Sequence, residues 1–232
     1  MIKIRAFRAV DDPLSCDKFI EGHSRLLEIH FGLAKITSAS TEWAKNPNTI
    51  VLIVEDELGE KIYGGSRIQI VDGALPLPIE TAIGKYDRKI FDFVGRGTCE
   101  VCGMWNSIEV AGMGIGSLIL TRISAAVLTQ LPVNKVYVLC APITMRMGRR
   151  IGAIVDTELG NNGTFYYPKD DFIATALVLR DVETLVHADP SERERIFDLR
   201  KNLFQVRNEN GPKGNFDVSY DLRIANLDKL NV

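Results

Sequence analysis

Two apolar rhythms divide this chain. Thr98 to Ile108 reads as a strand. Past a glycine-rich turn, Ile115, Leu118, Ile119, Ile123, Ala126, Val127 and Leu131 recur at three and four residues, which predicts a helix with one buried face ended by Pro132. Lys135 to Ala141 is a short apolar run of the kind a buried strand carries. Strand, helix and strand in this order predict a right-handed parallel crossover. Upstream, Met1 to Val10 reads as a strand broken by Asp11, Asp12 and Pro13. Pro13 to about Phe31 reads as a helix carrying Phe19, Leu26, Leu27 and Ile29, stopped by Gly32. Thr49–Glu55 and Ile62–Val71 predict a hairpin, in which Gly64-Gly65 marks a bulge or a close backbone approach. Ile79–Gly84 and Asp87–Val94 read as short helical pieces. Downstream, Pro142–Gly152 reads as a helix, Ile154–Leu159 and Phe172–Leu179 as strands. A last helix is capped by Asp189, opens on Pro190 and is expected to reach about Arg207. The polar tail after Asn208 reads as either a docked arm or a dimer contact.

Composition narrows the class. The 232 residues are 46% hydrophobic and 25% charged, which suits a globular chain with a substantial core. A net charge of -2 argues against a broad nucleic-acid surface. Lys3, Arg5 and Arg8 interrupt any apolar leader, and no apolar run has membrane-span length, so a cytoplasmic protein is expected. Cys99 and Cys102 have CxxC spacing. Residues three apart on a strand point to opposite faces, and no second Cys or His pair is suitably spaced, so no metal site is expected. His23 and His30 lie seven apart on one helix face, where either serves as a base or lines a cleft, or both are structural. Between that helix and the hairpin, the polar stretch from Ala34 to Asn48, with Trp43 its one large apolar residue, could cover a site. The arginines of the Pro142 helix, Arg146, Arg149 and Arg150, form either a solvated face or a hold for an acidic ligand.

The chemistry concentrates at Ala111-Gly112-Met113-Gly114-Ile115-Gly116-Ser117. The first amides of a helix lack intrahelical partners, glycine lets other groups approach them, and the helix dipole favours an anion there. Two readings stand: a phosphate-bearing ligand on these amides, or a tight turn needing glycine for its backbone angles. Glu100 lies on the central strand, and strict alternation puts Cys102, Met104 and Asn106 on its face. An apolar setting there would raise its pKa toward that of a useful base.

The order of elements over residues 1 to 180 resembles the GCN5-related N-acetyltransferase superfamily, with residues 181–232 as a C-terminal helical extension or arm. The superfamily's Gln/Arg-x-x-Gly-x-Gly/Ala turn is matched in its glycines, with Ala111 at the first position. The resemblance implies an α/β (α+β) fold with a mixed central sheet flanked by helices. It implies an N-acyltransferase using acetyl-CoA or a longer acyl-CoA, or an acyl carrier protein, to acylate a small-molecule amine. It places Glu100 as general base. Met104, Asn106, Met113, Gly114, Ile115, Gly116 and Ser117 would hold the donor, the last five its pyrophosphate. The tyrosine that often protonates the leaving thiolate falls at Gly148 here, leaving Tyr137 or Ser107 as substitutes, or an unaided departure. Gly64-Gly65-Ser66-Arg67, the Leu75-Pro76-Leu77-Pro78 loop and Glu100 resemble autoinducer synthases and long-chain N-acyl amino acid synthases, a branch in which many members lack that tyrosine. The arginine that branch places after the glutamate is absent, with Val101, Cys102 and Gly103 there instead. Two other readings compete: a non-catalytic ligand sensor on this scaffold, and a dinucleotide-binding oxidoreductase. The latter lacks the third glycine of its fingerprint, at Ser117.

Overall fold

The computed structural model of the protein describes residues 1–31 and 36–231. Its strands are β1 (Ile2–Arg8), β2 (Thr49–Asp56), β3 (Ile62–Ile70), β4 (Thr98–Asn106), β5 (Lys135–Cys140), β6 (Ile154–Val155), β7 (Thr164–Tyr166), β8 (Ile173–Leu179), β9 (Phe204–Gly211) and β10 (Gly214–Asp221). Among the described residues they form one mixed sheet in the order β6-β8-β5-β4-β3-β2-β1-β10-β9, with β7 paired to β8. The helices are α1 (Pro13–Phe31), α2 (Pro78–Ile83), α3 (Lys89–Phe93), α4 (Leu120–Val127), α5 (Pro142–Arg150) and α6 (Pro190–Lys201). Both sheet faces are covered, which explains why β2 reads as a continuous apolar run. Its Ile50, Leu52 and Val54 join the core under α4 and α6, while Val51 and Ile53 join Phe19, Trp43 and Trp105 under α1.

The crossover around the glycine turn is present: β4 and β5 are parallel. They pair only from Thr98–Lys135 to Glu100–Tyr137, and beyond that point they separate. The hairpin of β2 and β3 is also as read, and its glycines mark close approach. A Cβ on Gly65 would lie 2.4 Å from the Leu52 carbonyl and 2.8 Å from the Phe19 ring.

Several expectations are corrected. Helix α4 is buried all round rather than on one face, because α6 and the β9–β10 hairpin cover its other side. Its Arg122 is buried with Glu192, and Arg122 Nη1 donates to Glu209 at 2.9 Å. The last helix stops at Lys201, not Arg207. Asp189 caps it as expected, accepting from the amides of Ser191 and Glu192. The tail is a β-hairpin whose β10 pairs in parallel with β1, extending the same sheet. Ile154–Leu159 holds only the two residues of β6, since Asp156 turns away to receive the Tyr137 hydroxyl. The stretch between the two expected strands contains a further one, β7.

Candidate functional site

The gap between β4 and β5 is the centre of the site. Where the strands part, an apolar cavity of about 250 Å³ opens through the sheet. On one side it is walled by His23 and Leu27 of α1 and by Tyr167. On the other it runs along Thr121, Ser124 and Ala125 of α4 and Leu128 in the turn that follows it. These four share one helical stripe, and at 1.5 Å per residue they border about 10 Å of channel. Three of them are small, which is why room remains. Gly148 of α5 lines the same space, and a Cβ on it would stand 2.6 Å from Leu177 Cδ1. The position read as the tyrosine site therefore has no room for a larger residue without displacing Leu177.

Strand β4 does not alternate strictly. Arg67 faces Cys102 while Gly65 faces Trp105, so Ser66 opposes both Gly103 and Met104. Gly103 adopts φ +60, a conformation suited to glycine, and forms this bulge. The shared face expected for Glu100, Met104 and Asn106 is thereby broken. Met104 turns toward α4, with its sulfur 4.0 Å from Thr121 Oγ1, and Asn106 abuts Gly116. Glu100 and Cys102 stay on the opposite face beside Arg67. Cys99 and Cys102 do point apart, and all four cysteines are free and buried.

Glu100 is 2% exposed, and its Oε2 accepts from the Ile79 amide at 2.7 Å. Burial pushes its carboxyl up to about 8, against the opposing pull of the Ile79 bond and of Arg67. The carboxyl is beneath the cavity rather than on its wall, within electrostatic range of two lining residues, Tyr167 and Cys140. Arg67 is itself fully buried and stacks 4.9 Å above Trp43, while the Tyr167 hydroxyl meets the Thr37 amide at 2.6 Å. Thr37 and Trp43 thus border this end of the site.

At the glycine turn, Gly112 and Gly114 both have φ +81. The Met113 amide is engaged by the Val110 carbonyl at 3.1 Å, so it is withdrawn from the expected set. The amides of Gly114, Ile115, Gly116 and Ser117 meet no acceptor among the described residues. The Gly114 carbonyl receives both Leu118 and Ile119, and Ile115–Ile119 forms a wide π turn leading into α4. Gly116 is required by Asn106, whose Oδ1 is 2.0 Å from where a Cβ would sit. The side chains of Ser117 and His30 lie outside the described residues. Of the substitute acids, Tyr137 donates to Asp156 at 3.0 Å, and its hydroxyl is pushed up by burial and by that carboxylate. The Ser107 hydroxyl is buried with no partner among the described residues.

One contributor was not visible in the sequence. The tip of the β9–β10 hairpin folds onto the glycine turn: the Lys213 amide donates to the Gly112 carbonyl at 3.0 Å, and a Cβ on Gly211 would strike the Met113 carbonyl at 2.2 Å. The signal that could have revealed it is Asn210-Gly211-Pro212-Lys213-Gly214, a turn sequence between two alternating stretches. Among the described residues no group of three His, Cys, Asp or Glu is placed to hold a metal, and no helix is long and apolar enough to cross a membrane.

A twisted mixed sheet split between β4 and β5, with a glycine turn opening a helix at the split, is the fold of the GCN5-related N-acetyltransferases. No family model matches the chain and no curated protein matches its sequence. Among solved structures, it is similar to MesI, a CoA-dependent acyl-homoserine lactone synthase (16% identity, TM-score 0.54, 85% of this chain and 95% of that one). It is similar to FeeM, an N-acyl amino acid synthase from uncultured soil microbes (16% identity, TM-score 0.53, 78% and 91%). It is similar also to a candidate phosphinothricin N-acetyltransferase (12% identity, TM-score 0.52, 79% and 99%). At these identities the likeness establishes the fold alone.

Proposed function

We propose that this protein is an N-acyltransferase that moves an acyl group longer than acetyl from a coenzyme A thioester to the amine of a small molecule. The observation that carries this reading is the apolar cavity where β4 and β5 part, which runs along α4, the helix into which the unpaired amides of Gly114 to Ser117 lead. A helix start with unpaired amides suits the pyrophosphate of the donor. A channel lined by small residues of α4 suits the alkyl chain, and burying each methylene there contributes about 0.8 kcal/mol. Asn106 and Met104 flank the passage between the two. MesI and FeeM, which share the fold, are described as a CoA-dependent acyl-homoserine lactone synthase and an N-acyl amino acid synthase.

In this reading the amine reaches the thioester from the side of α1 and Tyr167, and Glu100 takes its proton by way of one bridging water. A carboxyl raised to about 8 is matched to that task near neutral pH. Because Gly148 cannot supply a proton and Tyr137 is held by Asp156, the thiolate departs without a tyrosine acid. The same two facts favour a second reading, a non-catalytic acyl-CoA binder.

Isothermal titration with acetyl-, octanoyl- and palmitoyl-coenzyme A tests the donor, and thiol release with a panel of amines tests catalysis. Octanoyl-CoA should bind more tightly than acetyl-CoA. Binding by none of the three, nor by acylated carrier protein, would remove both readings. Binding without thiol release for any amine would leave the binder.

A further inference from the structure

We propose that His23 is a catalytic residue of the acyl transfer, donating a ring N–H to the thioester carbonyl oxygen as charge develops on it. The proposal rests on the acyltransferase reading above.

His23 is 6% exposed and lies on the cavity wall at the mouth of the β4–β5 split. Neither ring nitrogen has a hydrogen-bond partner among the described residues. Because the ring lines the cavity, a ligand group bound there can take one of these nitrogens as its partner. Its place is defined from three sides. The Phe19 ring stands 6.0 Å away on α1 itself. Across the cavity, His23 Cε1 comes within 3.7 Å of the point a Cβ on Gly103 would occupy, and Arg67 Nη1 comes within 2.7 Å of the same point. The bulge at Gly103 is where the β3–β4 ladder shifts register, past the last β4–β5 pair, so imidazole and guanidinium converge on backbone that lines the channel.

The charge state suits a donor rather than a base. Burial, with the nearby Arg67 charge, pulls the imidazole down to about 4. The charged group beside it is Arg67 from β3, and Cys102 from β4 and Tyr167 from the loop before β8 line the same cavity. Above that range the ring is neutral and keeps one N–H, and a preorganised neutral donor in a dry site is an effective oxyanion stabiliser. The acceptor's ammonium gives one proton to the ionised Glu100 carboxylate, and the neutral amine so formed attacks the carbonyl carbon. The C–N bond forms while the carbonyl π pair moves onto oxygen, facing His23. The pair returns, the C–S bond breaks, and the sulfur leaves with the second nitrogen proton as a thiol.

The test compares His23→Leu with His23→Gln, which retains an N–H donor, in thiol release from octanoyl-CoA with the best amine of the panel. Expected for His23→Leu is a fall in kcat of about 100-fold, with KM for octanoyl-CoA changed less than about threefold. His23→Gln should recover most of that loss, within about tenfold of wild type, and keep the wild-type acidic limb of the pH profile. Thermal unfolding confirms that both variants fold. The role is overturned if His23→Leu retains wild-type kcat, if the two variants are equally impaired, or if His23→Gln loses the acidic limb, which would make His23 the base. An inactive wild type defeats the acyltransferase reading itself, whereas an active wild type with an indifferent His23 defeats only this inference.

Discussion

Replacing Glu100 by Gln should stabilise the protein, and by an amount that grows with pH. The carboxyl sits at about 8 in the folded chain against an ordinary 4.5. The folded state therefore holds this proton more tightly than the unfolded state does. Between those two values stability falls as pH rises, because folding must retain a proton that the unfolded chain has released. At 1.36 kcal/mol per unit, the handicap of wild type is about 1 kcal/mol at pH 5, about 3 at pH 7 and about 4 at pH 8. Gln keeps an acceptor for the Ile79 amide and has no proton to lose, so it avoids the handicap. For a chain of this size, the difference at pH 8 corresponds to a rise in Tm of about 10 °C. Calorimetric unfolding of both proteins at pH 5, 7 and 8 measures it. A Tm difference that is constant with pH, or a less stable Glu100→Gln at pH 8, would refute the reasoning and show the carboxylate ionised at neutral pH. The same substitution should remove the rise in thiol release that wild type shows as pH climbs from 7 to 9, about tenfold for a group at 8.

The other consequences are more local. Ala125→Leu puts a larger side chain into the channel beside α4, so kcat/KM for octanoyl-CoA should fall about 10- to 100-fold while that for acetyl-CoA holds within about threefold; steady-state kinetics on both donors decides it. Gly211→Ala forces the hairpin tip off the Met113 carbonyl, and should raise the Kd for acyl-CoA about tenfold by loosening the glycine turn, a change titration calorimetry reads directly. Tyr137→Phe leaves Asp156 with only the Arg180 guanidinium at 3.5 Å. It should lower stability by about 1–3 kcal/mol in urea titration while thiol release stays at the wild-type rate, because this hydroxyl is not the acid.

The local pattern is a sound guide to where elements begin and how neighbouring segments pair. The three/four spacing from Ile115, the Asp189-Pro190 cap and the β2–β3 hairpin all depend on neighbours in the chain, and each is present. The pattern failed where a distant segment changed what counts as inside. On β9 the inward positions are Gln205, Arg207 and Glu209, while Phe204 and Val206 face solvent. A polar strand of this kind is stable only because Glu209 meets Arg122 at 2.9 Å and the Tyr220 hydroxyl at 2.9 Å. Nothing within the tail announces that pairing, so Phe204 to Arg207 reads as the end of a helix and the rest as a docked arm or a dimer contact.

By itself the sequence determined the parallel crossover, the glycine-led helix and a carboxyl on the central strand, since period, capping and backbone freedom are short-range properties. Only the tertiary structure decided which way those groups point. A single extra residue at Gly103 turns Met104 and Asn106 away from Glu100, and the parting of β4 from β5 creates a cavity that no one segment encodes. His23, one of two histidines on a helix face, gains its place only because α1 lies across that opening. Burial and the approach of Arg67 then determine its charge, and both are set by packing over long separations in the chain.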